Sequence, residues 1–256
     1  MQPQRIEPRF VERVWGRTDL SPLFGAQEKR IGEVWFPIPD DFPLLVKFIF
    51  TSERLSVQVH PRDEYARIHE NSRGKTEMWH ILAAEPDSTI ALGFREPVEK
   101  QSLRTAIADG SVVDLLNWIP VKAGETVYTP AGTVHAIGAG IVMCEIQQNS
   151  DITYRLFDYG RPRELHLEKG LDVLDAGPYD GRRDFPVCCE HFTTEKVVLT
   201  GPTVLDSPGE HLLIPIGGRG TIAEQPFKAG QVWHVHERRT DIRPDGTAIF
   251  LRTRCA

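Results

Sequence analysis

Short apolar or alternating runs recur along the chain, each closed by Gly, Pro, Asn or Asp. They predict strands at Leu44–Phe50, Leu55–Val59, Glu77–Ala83, Ser88–Gly93, Glu125–Thr129, Ile141–Gln147, Thr194–Leu199, His211–Pro215 and Ala248–Arg252. Many short strands at this spacing imply a mainly β fold, an antiparallel barrel or jelly roll and not a βαβ array. One helical interruption is expected over 98–119. Its apolar positions are Leu103, Ala106, Ile107, Val112, Leu115 and Leu116, and Asp109-Gly110 splits it in two. A further helix is predicted over Leu165–Leu174. The loop Asp175–Asp184 that follows carries Gly177, Pro178 and Gly181 and is read as a domain boundary. The expected organisation is a first domain of 1–176, containing the helical insert, and a smaller second domain of 185–256.

An internal echo supports two related units. Val121-Lys122-Ala123-Gly124-Glu125-Thr126-Val127-Tyr128 resembles Phe227-Lys228-Ala229-Gly230-Gln231-Val232-Trp233-His234, a K-A-G turn leading into an apolar strand each time. A common turn arising twice by chance is the alternative.

Bulk composition narrows the partners. Thirty Lys and Arg against 36 Asp and Glu leave a net charge of −6, with the basic residues dispersed. This argues against nucleic acid or an anionic membrane, so an anionic partner should be small and held by a few placed cations. No apolar run approaches a membrane span, and Met1–Glu12 shows no secretory signal, so a reducing cytoplasm is expected. Cys144, Cys188, Cys189 and Cys255 form no CxxC pair and read as buried or inert thiols.

Chemistry concentrates between Leu55 and His135. In Leu55-Ser56-Val57-Gln58-Val59-His60-Pro61, Gln58 and His60 are two apart and share one strand face, with Leu55, Val57 and Val59 on the other. Glu77 opens the strand after Gly74-Lys75-Thr76 and is expected to face the preceding strand. Burying that carboxylate without a cation would cost several kcal/mol. Pro130-Ala131-Gly132-Thr133-Val134-His135 is a turn that returns His135 to the barrel. Two imidazoles, a carboxylate and an amide oxygen suit zinc or another borderline divalent ion and leave room for water or substrate.

These motifs in this order, L-S-V-Q-V-H-P, G-K-T-E-M-W and P-A-G-T-V-H-A-I, resemble the type I mannose-6-phosphate isomerases, zinc enzymes of the cupin superfamily. The likeness begins near Arg13-Val14-Trp15-Gly16, passes through Ile31-Gly32-Glu33-Val34-Trp35 and continues to Gly170. It implies two cupin-type jelly-roll barrels and membership of the compact bacterial subgroup. It also implies one Zn2+ per chain, or another divalent metal, on Gln58, His60, Glu77 and His135. The block Met143–Arg155 matches the family's next motif and implies an active-site role for Arg155. Glu145 and Lys75 join it as catalytic candidates, with a metal-bound hydroxide the alternative to Glu145 as base. Lys47, a lone charge in an apolar strand, has a family counterpart and is a substrate contact or a structural partner of a carboxylate. Ser56, Arg161 and Arg163 are the further candidates for binding the sugar phosphate.

The implied activity interconverts mannose 6-phosphate and fructose 6-phosphate through a cis-enediol, in a monomer or homodimer. The alternatives are an isomerase or epimerase of another sugar or sugar phosphate, or a sugar-binding cupin without catalysis. His69, His80, His166, His191 and His211 have no motif around them. His234 and His236 share a face, but no nearby carboxylate motif completes a site, and the family's second unit is metal-free.

Overall fold

The structure is a computed structural model that describes residues 2–39, 41–207 and 209–256. Four antiparallel sheets pair into two sandwiches. In the first, a six-stranded sheet contains Ala26–Phe36, Leu44–Phe50, Ile141–Gln148, Glu77–Ala84 and Thr126–Thr129 in that spatial order. It faces a five-stranded sheet containing Tyr154–Phe157, Val57–Val59, His135–Ile137, Thr89–Phe94 and Leu116–Pro120. The second sandwich pairs a six-stranded sheet around His211–Gly217 and Ala248–Cys255 with a four-stranded one around Arg239–Pro244.

Every residue of Leu44–Phe50 is buried, because both faces of its sheet are covered. Val46, Phe48, Met78, Cys144 and Ile146 form one face of a core shared with Phe192, Leu212, Ile214 and Leu251 of the second sandwich. The opposite face carries Ile49, Trp79, Ile81 and Met143 into the first barrel. Alternation thus separates an apolar seam from an interior where Lys47, Glu77 and Glu145 stand among hydrophobic neighbours.

The five-stranded sheet is backed by helices. Val57, Val59, Val134 and Ala136 pack under Leu103, Ala106, Ile107 and Val112. Leu55 does not join them; it lies before the strand and packs with Trp79 and Ile137 inside the barrel. The expected 98–119 insert is helical over Lys100–Asp109 and Val112–Leu115, and Gly110, at φ 86°, separates the two. Its last residues differ from expectation: Leu116–Pro120 is an edge strand paired with Thr89–Phe94. Sheet pairing overrides the helical period there. The second predicted helix spans Leu167–Val173.

The two strands Arg9–Asp19 and Ala26–Phe36 were not legible as strands in the sequence. Gln4 and Arg5 pair with His234 and Trp233, so the chain's beginning completes a sheet of the second sandwich. The K-A-G echo corresponds to one repeated turn. Gly124 and Gly230 have φ of 93° and 88°. The Lys122 and Lys228 backbone N–H groups donate to Glu125 Oε2 and Gln231 Oε1 at 2.9 and 3.1 Å.

Candidate metal centre

Neighbouring strands bring three of the four expected ligands together. His135 pairs directly with Gln58, and His60 follows two residues along from Gln58. Glu77 arrives differently from expectation: it is in the opposite sheet, paired with Gln147 and Thr129, and faces His60 and His135 across the barrel. His60, Glu77 and His135 are each 1% exposed.

The hydrogen-bonding of the imidazoles defines what this cluster can hold. His60 Nδ1 is 2.8 Å from the Ile152 carbonyl and His135 Nδ1 is 2.9 Å from the Thr133 carbonyl. A carbonyl oxygen only accepts, so each Nδ1 carries the hydrogen and a neutral ring presents Nε2 as a lone pair. Burial holds both imidazoles below their ordinary pKa, and Lys75 adds to the depression. These two lone pairs meet a third acceptor, Glu77 Oε1, at 2.7 Å from His60 Nε2 and 3.9 Å from His135 Nε2. Glu77 Oε1 is buried without a hydrogen-bond donor. Three converging acceptors in a buried site repel unless positive charge offsets them; the Lys75 ammonium approaches from one side, and the donor set itself suits a divalent metal.

Gln58 adjoins the cluster, its Nε2 3.2 Å from His135 Nε2 and its Oε1 accepting from Ser56 Oγ at 3.1 Å. The amide oxygen and nitrogen are an assignment, and the Ser56 hydroxyl can donate or accept, so Gln58 can present either end. Lys75 donates to His60 Nε2 at 3.1 Å and lies 3.6 Å from Glu77 Oε1.

A second carboxylate completes the interior. Glu145 is the cross-strand partner of both Lys47 and Trp79. The Lys47 ammonium donates to Glu145 Oε1 at 3.1 Å and to Gln147 Oε1 at 2.5 Å, and lies 4.6 Å from the centre of the Trp35 ring. Trp79 Nε1 is 3.0 Å from Glu77 Oε2 and 3.0 Å from Glu145 Oε2, so one indole N–H ties the two acids together. Burial opposes ionisation of Glu77, but Lys75 and neighbouring donors overcome it and hold the group down at about 2. Burial and the Glu77 charge push Glu145 upward. The ammonium of Lys47 is opposed by burial and favoured by Glu145, Glu33 and Glu77, which raise its pKa overall.

A cavity of about 460 Å³ reaches the residues that adjoin this cluster, with His60, Glu77 and His135 behind its wall. Gln58, Lys75, Lys47 and Glu145 line it, and Arg155, Arg163 and Arg13 line it as well. Arg155 stands directly opposite Gln58 in the strand pairing. Its Nη1 donates to the Glu164 carbonyl at 2.8 Å, whereas its Nε is buried without a partner. Ser56 also lines the cavity.

Arg161, expected to help bind the sugar phosphate, is held apart from the other candidates. It is absent from the cavity wall, its guanidinium being taken by Asp158 at 3.2 Å, Glu53 at 3.0 Å and the Arg54 carbonyl at 2.9 Å. Arg163 also clasps Asp158, at 2.5 and 2.7 Å, but borders the cavity.

Trp79 and Arg13 were missed as site residues. Trp79 shares the face of Lys75 and Glu77 by simple alternation, but a Trp in an apolar strand carries the same local signal as an ordinary core residue. Arg13 carried no signal, since the strand holding it was itself not legible. Its guanidinium pairs with Glu33 at 2.6 Å.

No protein-family model matches the chain. The chain is 35% identical to the mannose-6-phosphate isomerase ManA of Bacillus subtilis, across 90% of this chain and 91% of that protein. The crystal structure of the mannose 6-phosphate isomerase from Bacillus subtilis superposes with a TM-score of 0.87 at 28% identity, covering 98% and 99% of the two chains. A zinc-bound mannose 6-phosphate isomerase shares the fold at a TM-score of 0.77 and 15% identity, covering 98% of this chain and 99% of that one. With that identity extending over nine-tenths of both proteins, the chain belongs to the mannose-6-phosphate isomerase family.

Proposed function

We propose that this chain interconverts mannose 6-phosphate and fructose 6-phosphate at the cavity over His60, Glu77 and His135, with zinc as its metal. The observation that carries this reading is the convergence of two imidazole Nε2 lone pairs on a buried carboxylate oxygen that has no hydrogen-bond donor. Gln58 is the fourth ligand, through its amide oxygen. A bound zinc ion would act as a Lewis acid toward O1 and O2 of the sugar, where the cis-enediol develops negative charge.

The protein's own groups account for the rest. Glu145, buried with a raised pKa and facing the cavity, takes the proton from C2 of the aldose and returns it to C1 on the same face of the enediol. Its two oxygens are oriented by Lys47 and Trp79, so it cannot swing away. The hydroxyl proton passes from O2 to O1, and the Lys75 ammonium, 3.1 Å from His60 Nε2 and at the cavity wall, is the group that relays it. Arg155 supplies charge at the cavity wall, and Arg163 with Ser56 receives the phosphate end. Every one of these groups comes from one chain, so a monomer suffices for the chemistry. No helix among the described residues is long and apolar enough to cross a membrane, and all four cysteines are free, which suits the cytoplasm.

The test is to strip the purified chain of metal, reload it with zinc and assay conversion of mannose 6-phosphate to fructose 6-phosphate beside a panel of other aldose phosphates. Turnover restored by zinc is expected. Fully loaded protein that ignores mannose 6-phosphate but turns over another sugar would defeat the substrate assignment. Glu77→Ala should lose metal and thermal stability together, and unchanged metal content would defeat the ligand assignment.

A further inference from the structure

Among the described residues, one other group of imidazoles and a carboxylate converges as the first does, and it lies in the second sandwich. His234 is on the strand Trp233–Val235 and His236 follows it by two positions. Glu210 immediately precedes the neighbouring strand, His211–Gly217. The sequence offered no carboxylate motif near the two histidines; the pairing of these strands supplies one from 24 residues upstream of His234.

The geometry resembles the catalytic cluster. His234 Nε2 and His236 Nδ1 lie 2.7 and 3.1 Å from the same oxygen, Glu210 Oε1. The two rings are 4.2 Å apart. Donors held at about 2.0–2.1 Å from one tetrahedral ion stand roughly 3.4 Å from each other, so this set needs little movement to close on a metal. His234 is buried, with Phe42 of the first sandwich edge-on at 4.9 Å, while His236 and Glu210 reach solvent. The cluster is therefore anchored on the seam and open on one side to an ion.

We propose that Glu210, His234 and His236 form a second divalent-metal site, of zinc-type preference, separate from the isomerase centre. Its two imidazoles and one carboxylate leave a position for water, and its place gives it a structural role, fastening the Glu210 loop to the strand that carries His234. The competing arrangement is metal-free, with both imidazoles donating hydrogen bonds to Glu210.

Full-length protein stripped of metal should be titrated with Zn2+ against a chromophoric chelator. Two equivalents per chain are expected for the wild type. Glu210→Gln and His236→Gln, both at partly exposed positions, should each bind one equivalent and keep zinc-dependent turnover, which also shows that they fold. The second equivalent should raise the melting temperature of the wild type and leave that of the variants unchanged. One equivalent in the wild type, or a second equivalent that persists in the Glu210→Gln/His236→Gln double variant, overturns the proposal. Glu77→Ala should lose the first equivalent and keep the second, so the two sites fail or stand separately.

Discussion

Lys47 and Glu145 are direct partners across the ladder between two central strands, and their charged ends meet at 3.1 Å with both residues 3% exposed. Neither charge would be tolerated there alone. Breaking a buried pair from one side costs about 3–5 kcal/mol, because the remaining charge is left uncompensated. Lys47→Met should therefore lower stability by about that amount, read from the urea midpoint. Lys47→Met/Glu145→Gln should recover a large part of the loss while turnover stays at least about 100-fold down, since the proton acceptor is gone. Full activity in Glu145→Gln would remove Glu145 from the mechanism.

Trp79→Phe keeps the ring in the core and deletes the one N–H shared by Glu77 and Glu145. Leaving buried acceptors short of a donor costs about 1–3 kcal/mol. Zinc affinity should fall too, because partners behind a metal ligand commonly contribute about 10–100-fold. A variant with wild-type stability and wild-type zinc affinity would show that the indole only fills space.

Arg163 and Arg161 are two residues apart and share Asp158, yet Arg163 borders the cavity and Arg161 does not. Arg163→Ala should raise KM for the sugar phosphate about tenfold or more, the loss of one charge-assisted contact of about 1.5–3 kcal/mol. Arg161→Ala should leave KM near the wild-type value. The reverse order would put the phosphate on the other side of Asp158.

Burial depresses His60, His80 and His135 in the folded chain, His80 to about 4 from an ordinary 6.5. Below pH 6.5 the unfolded chain takes up protons that these folded rings refuse, so stability must fall as pH drops through that window. For His80 the loss is complete only below about 4. Urea midpoints of metal-free protein between pH 7 and 4 should show this decline, and His80→Phe should flatten it. An unchanged slope in His80→Phe would mean that His80 titrates normally.

How the site became legible follows from local geometry. Strands with one clear period, such as Leu44–Phe50 and Ile141–Gln148, could be read directly, because two-residue alternation is a property of the backbone alone. The same alternation placed Gln58 with His60, and a charge in an apolar run marked Lys47. The ordered motifs carried the family and the four expected ligands. What local sequence could not supply was which strands sit across from one another. Glu77 faces the histidines from the opposite sheet, Trp79 bridges two acids, Arg161 is consumed by Glu53 and Asp158, and Leu116–Pro120 pairs as a strand where its period suggested helix. Each of these depends on contacts between residues distant in the chain, whose energies exceed local preference once the sheets pack. The sequence by itself determined the strands with a clear two-residue period, the residue types offered to the site and the family. The tertiary structure alone decided that Glu77 and Glu145 share one indole, and that Glu210 reaches His234 and His236, because only the packed sheets bring those side chains within hydrogen-bonding distance.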